Sequence, residues 1–176
     1  MSIFEQPLYN QEIFLNYGWN LISSYVIPYN TNLTSIFWFL IETNHLEMVK
    51  DGEGRSYNLN NGFNNISEWN PYEAYLVKVN RISNIIISGN KRINTQINLN
   101  REWNYISYPL NTTHSMDEII REVFNPLGDN LIMIKDGFGR FYNREYNYNN
   151  IPSFVPGKGY QIKVNEKTVL DFSSLN

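Results

Sequence analysis

The segments "KDGEGR" at 50–55 and "KDGFGR" at 135–140 each set an acid beside two glycines, residue types that hold calcium or cradle phosphate. A calcium loop needs oxygen ligands at several alternating positions. Asp51 and Asp136 stand nearly alone, and Glu53 of the first segment is replaced by Phe138 in the second. A phosphate loop needs glycines that follow a strand and open a helix, whereas these run on into strand-like sequence. The pattern is that of a β-hairpin, with Asp-Gly supplying the positive φ of a tight turn. "PGKGY" at 156–160 lacks the Walker spacing, and its counterpart "PYEAY" at 71–75 has no glycine. Both read as a turn feeding a strand.

Other chemistry is thinly supplied. His45 and His114 do not occupy matching places, and neither has a Ser or acid at an interpretable spacing, so each is expected at the surface. The carboxylates are scattered and no two stand out as an acid and a nucleophile. The absence of cysteine excludes disulfides, thiol nucleophiles and Cys-containing zinc sites. The sequence nominates no catalytic residue, no metal ligand and no cofactor, and the expectation is a protein that is not an enzyme.

Two candidate interaction regions remain. Trp, Tyr and Asn are the side chains that stack on sugars and hydrogen-bond to them, and Tyr142, Tyr146 and Tyr148 cluster in "FYNREYNYNN" as a candidate exposed aromatic surface. The competing expectation is that they alternate between the core and surface of a sheet. Residues 1–10 carry Ile3, Phe4, Leu8 and Tyr9, too apolar for a solvated tail, and form a candidate docking arm that packs on its own chain or on a neighbouring subunit.

The elements that must position these residues come as a repeat. Trp19 and Trp103 are 84 apart, as are Ile13 and Ile97, while "LEMVKDGEGRSYN" and "LIMIKDGFGRFYN" begin at Leu46 and Leu131, 85 apart. The offset of 85 holds through Trp69 and Phe154, Pro71 and Pro156, Tyr75 and Tyr160, and Ile87 and Phe172. This places an N-terminal arm at 1–10, one module at 11–90 and a second at 95–176. Each module reads as a small α+β unit, mostly antiparallel strands with one short helix, and the Trp and Ile of the repeated "WN" stretches are expected to fill two similar cores. In the second module "SMDEIIREVFNP" has Ser115 as N-cap, Glu118 three residues on and Pro126 as a stop. The first has the nearly all-apolar "NLTSIFWFLIE", a helix buried on several sides or partly replaced by strand.

Composition narrows the partners. With 42% hydrophobic residues the chain is globular, and a net charge of −3 with 14 scattered Lys and Arg argues against nucleic acid. No stretch approaches the roughly 20 apolar residues of a membrane helix. No basic and apolar leader opens the sequence, which predicts a chain made and folded in the cytoplasm.

The order of Trp-Asn-x-Ile-Ser, the "KDGxG" hairpin, and an aromatic before Pro-Gly-x-Gly-Tyr resembles a tandem module of surface and secreted proteins of Bacteroidetes-type bacteria and of structural proteins of their tailed phages. Here it is carried by Trp103 to Ser107, Lys135 to Tyr142 and Phe154 to Tyr160, and by Trp19 to Ser23, Lys50 to Tyr57 and Trp69 to Tyr75, with Tyr72 and Ala74 departing from the glycines. The resemblance implies a non-catalytic adhesive or structural part. Without a leader, the expectation is an accessory virion component such as a capsid decoration or head fibre. It would be made in the host cytoplasm and assembled with other virion proteins into an oligomeric structure. The rival is a glycan-binding or adhesive module of a bacterial cell surface.

Overall fold

The structure, a computed structural model, describes residues 8–175. It is mostly antiparallel β-sheet with a few short helices. Strand β1 (Tyr9–Leu15) turns Gln11, Ile13 and Leu15 inward and Asn10, Glu12 and Phe14 outward. It is followed by β2 (Gly18–Ile22), β3 (Val26–Pro28), helices α1 (Leu33–Ile36) and α2 (Trp38–Glu42), and strands β4 (Leu46–Lys50), β5 (Ser56–Asn58), β6 (Phe63–Asn64), β7 (Tyr75–Val79) and β8 (Ser83–Lys91). These form a five-stranded sheet in the order β2-β7-β4-β5-β6 and a three-stranded one in the order β1-β8-β3.

The rest of the chain supplies β9 (Gln96–Leu99), β10 (Glu102–Ser107), β11 (His114–Ser115), α3 (Met116–Ile119), β12 (Leu131–Asp136), β13 (Phe141–Asn143), β14 (Tyr148–Asn149), β15 (Ser153–Phe154), β16 (Gly159–Val164) and β17 (Thr168–Asp171). Its five-stranded sheet has the order β10-β16-β12-β13-β14, with β9 pairing β17 and β11 pairing β15. Two hydrophobic clusters lie inside, one of residues between Ile13 and Ile87, the other between Ile97 and Phe172.

The capping box of α3 forms as its spacing predicts: Glu118 N donates to Ser115 Oγ at 3.3 Å and Ser115 N donates to Glu118 Oε2 at 2.8 Å. The α-helical part ends at Ile119, before the expected stop at Pro126, and a π turn (Ile120–Phe124) and a 3-10 segment (Asn125–Asn130) carry the chain onward. In the first half the helix is neither buried all round nor replaced by strand. Leu33, Ile36, Phe37 and Leu40 turn inward while Trp38 and Phe39 stand 61% and 49% exposed.

Two expectations about the core need correction. Trp19 and Trp103 do not fill it; both lie on the outer face of their sheets, half-covered by Lys50 at 5.3 Å and Lys135 at 4.7 Å from the ring centroids. Their strand neighbours Ile22 and Ile106 are buried instead. In the hairpins, the glycine at positive φ is not that of Asp-Gly. Gly54 (φ +81°) and Gly139 (φ +80°) take the left-handed conformation, and Gly52 and Gly137 have another task, described below.

Candidate functional site

The two Asp-Gly turns are closed within themselves. Asp51 Oδ1 accepts from the backbone N–H of Glu53 and Arg55, both at 2.9 Å, and Oδ2 from Arg55 Nε. Asp136 does the same with Phe138, at 2.8 Å, and Arg140, at 3.0 Å. Both oxygens of each carboxylate are engaged, so the acid anchors a turn and is not placed as a metal ligand. Among the described residues no three His, Asp or Glu side chains converge into a metal site, and no helix is long and apolar enough to cross a membrane.

The turns instead meet the other half of the chain. A Cβ on Gly52 would lie 2.9 Å from Tyr105 Cβ, and one on Gly137 would lie 2.9 Å from Leu21 Cβ. Glycine stands in "KDG" because the neighbouring half packs on it, a reason no local signal carries. The same junction holds reciprocal backbone bonds: Ser23 N donates to Gly157 O at 3.0 Å and Ser107 N donates to Tyr72 O at 3.2 Å. Ser23 Oγ donates to Lys158 O at 2.6 Å and accepts from Tyr108 N at 3.0 Å. Arg92 is buried here and donates to the carbonyls of Asn94 (2.7 Å) and Pro71 (2.9 Å) and to Ser107 Oγ (2.6 Å). Its guanidinium lies 4.2 Å from the Tyr72 ring centroid, and loss of hydration pulls its pKa down to about 10.

The Pro turns at this junction differ from one another. Lys158 N donates to Val155 O and Glu73 N to Asn70 O, so both chains reverse. Gly157 sits at φ +83° after Pro156, as a type II turn requires, whereas Tyr72 after Pro71 has no positive φ. Each turn is held from below by a buried tyrosine: Asn70 N donates to Tyr75 Oη at 2.7 Å and Val155 N to Tyr160 Oη at 2.8 Å. Loss of hydration raises both phenols above the ordinary range.

Two clefts open where each hairpin meets the opposite half. One, of about 540 Å3, has Glu53, Asn70 and Glu73 on one wall and Asn98, Trp103 and Tyr105 on the other. The second, of about 290 Å3, is lined by Tyr17, Trp19, Phe138, Arg140 and Lys158. At the offset of 85 Glu73 corresponds to Lys158 and Glu53 to Phe138, so the two clefts share a frame and differ in charge. Burial raises the Glu73 carboxyl above its ordinary range and lowers Lys158 below its own.

Of the residues nominated from sequence, Tyr142 is corrected: it is 3% exposed, paired to Ile134 and stacked on Phe124, and is part of the core. Tyr146 and Tyr148 are exposed. Leu8 and Tyr9 are exposed too, and Tyr9 opens β1 opposite Gly89, so the strand begins inside the expected arm; Ile3 and Phe4 lie outside the described residues. His114 Nδ1 is 2.6 Å from Tyr108 Oη and His45 Nδ1 is 3.0 Å from Thr43 Oγ1, both local partners. Reading for glycines passes over the charge at Glu73; comparing "PYEAY" with "PGKGY" for charge would have marked it. No family model, curated protein or solved structure matches this chain.

Proposed function

We propose that this chain is a non-catalytic interaction protein, an accessory component of a tailed-phage virion of the capsid-decoration or head-fibre kind, built from two copies of one small unit. The duplication reading is supported by two five-stranded sheets with corresponding strand orders, by the paired Asp-Arg turns and by the reciprocal serine bonds. Burial supports it too, since the spacing of the buried Leu33, Ile36 and Leu40 recurs in the buried Met116, Ile119 and Val123 at a local offset of 83, against 84 before the helix and 85 after it.

The observation that carries the interaction role is a difference between the halves. Where, at that local offset of 83, the second carries the surface ion pair Arg121–Glu122 at 2.7 Å, the first presents Trp38 and Phe39, edge to face at 6.0 Å and about half or more exposed. Two adjacent exposed aromatics on a short helix are costly to leave in water and suit a protein contact. One half then docks and the other is displayed, and tandem units raise effective concentration on a repetitive lattice.

Quantitative mass spectrometry of fractionated source material tests the reading. The expected result is sedimentation with particles at a fixed ratio to a major shell protein, lost in Trp38→Ser/Phe39→Ser protein that still folds. Recovery only in soluble or envelope fractions would remove it.

A further inference from the structure

The smaller cleft, of about 290 Å3, holds a cation with nothing to balance it. Lys158 is partly buried, and its Nζ makes no hydrogen bond and no ion pair among the described residues. The described side-chain atoms that are both shut off from solvent and unpartnered are Gln11 Nε2, Trp69 Nε1 and Glu73 Oε2. Lys158 Nζ is not one of them, so its ammonium is open to solvent in the cleft. Burial still makes that charge costly and lowers the hold of Lys158 on its proton. The backbone of the same residue is fully used, its N–H donating to Val155 O at 3.1 Å and its carbonyl accepting from Ser23 Oγ at 2.6 Å, so the side chain rises from a fixed turn.

Asp136 is the one acid that lines this cleft, and both of its oxygens are taken by its own turn. It offsets Arg140, which leaves Lys158 as a single positive charge in surplus. The Arg140 side chain is partly exposed, and its Nη groups make no hydrogen bond among the described residues; Ser153 Oγ makes none either. The Arg140 guanidinium and Lys158 Nζ lie 5.0 Å and 5.9 Å from the centroid of one ring, that of Phe138. The rings do not choose the ligand, because Phe138 is faced by those cations and Trp19 by Lys50 at 5.3 Å. Charge does. A cation is repelled, a neutral molecule leaves the ammonium without a counter-charge, and a phosphate dianion exceeds the single surplus charge. A carboxylate matches it and accepts from exactly such donors. The volume lies at the small end of ligand sites and suits a body of amino-acid size, with Val155 and the exposed Tyr17 supplying apolar surface.

We propose that this cleft binds a small organic monocarboxylate, its oxygens accepting from Lys158 Nζ and from the free Nη groups of Arg140. The larger cleft, with Glu73 in the place of Lys158, is lined by no cation and does not bind the same ligand. This assignment is independent of the virion reading, because the purified chain is enough to test it.

The test titrates the full chain with benzoate and N-acetylphenylalanine, alongside N-acetylphenylalaninamide, benzylammonium and phenyl phosphate, following the Gly137 and Gly159 amides by NMR. At least one of the two carboxylates is expected to bind in the millimolar range or tighter, while the neutral amide and the amine do not bind. Lys158→Gln weakens that binding about tenfold with the amide spectrum otherwise preserved, Lys158→Arg keeps most of it, and Glu73→Gln leaves it unchanged. Failure of both carboxylates, equal binding of the neutral amide, or binding indifferent to Lys158→Gln overturns the proposal. Phenyl phosphate binding more tightly than either carboxylate also overturns it and reassigns the cleft to phosphate esters.

Discussion

Gly159 and Ala74, 85 residues apart in the chain, face each other across the junction of the two halves. A Cβ on Gly159 would lie 2.4 Å from that of Ala74 and 3.0 Å from the Ile22 carbonyl oxygen. Backbone is close on both sides, so the contact has little room to relax. Gly159→Ala is expected to destabilise by about 1–3 kcal/mol in chemical denaturation, the usual cost of overpacking. Adding Ala74→Gly recovers part of the loss and not all of it, because the Ile22 contact remains. Full additivity of the two changes would contradict the packing described.

The hairpin glycines separate two causes of glycine use. Gly52→Ala and Gly137→Ala push a methyl against Tyr105 and Leu21. They are expected to speed hydrogen exchange at the junction amides Ser23 and Ser107. Gly54→Ala and Gly139→Ala have open space around the new Cβ but a positive φ, so they cost about 1 kcal/mol while leaving junction exchange alone. Equal effects of all four on Ser23 and Ser107 would refute the distinction.

Arg92 donates to four carbonyl or hydroxyl oxygens, those of Asn94, Pro71, Ser107 and, at 3.4 Å, Gln96, and stacks on Tyr72. Arg92→Ala leaves buried acceptors unpaired, at about 1–3 kcal/mol each before water rearranges, and a loss of roughly 2–4 kcal/mol in total is expected. Lys restores one point charge without the planar fork and should recover less than half of the loss. A neutral Arg92→Ala would show that water replaces the guanidinium without cost.

Glu73 gives a stability signature with a definite sign. Its carboxyl is raised in the folded chain, chiefly by burial, so the folded state holds the proton more tightly than the unfolded state. The associated stability is fully present below the unfolded value of about 4.3 and is lost as pH rises through the folded one. Glu73→Gln removes this loss. Melting temperatures measured from about pH 4 to about pH 8 should show the variant gaining on the parent as pH rises, and a constant difference would rule the account out.

Sequence alone determined what is written in short-range chemistry. The hairpins at 50–55 and 135–140 and the Ser115–Glu118 capping box depend on bonds spanning a few residues, and each is present. Only the tertiary structure decided which face of a strand is inside and what meets a turn from the opposite half. Tyr142 is core because β13 pairs β12 in a register that sets it beside Ile134 and under Phe124, while Tyr146 and Tyr148 fall outside. Trp19 and Trp103 are exposed because their strands turn Ile22 and Ile106 inward. Glu73 lines a cleft whose other wall, Asn98, Trp103 and Tyr105, comes from residues far away in the chain. Side-chain burial is a property of packed neighbours, and those neighbours are chosen by pairings that no local window of sequence contains.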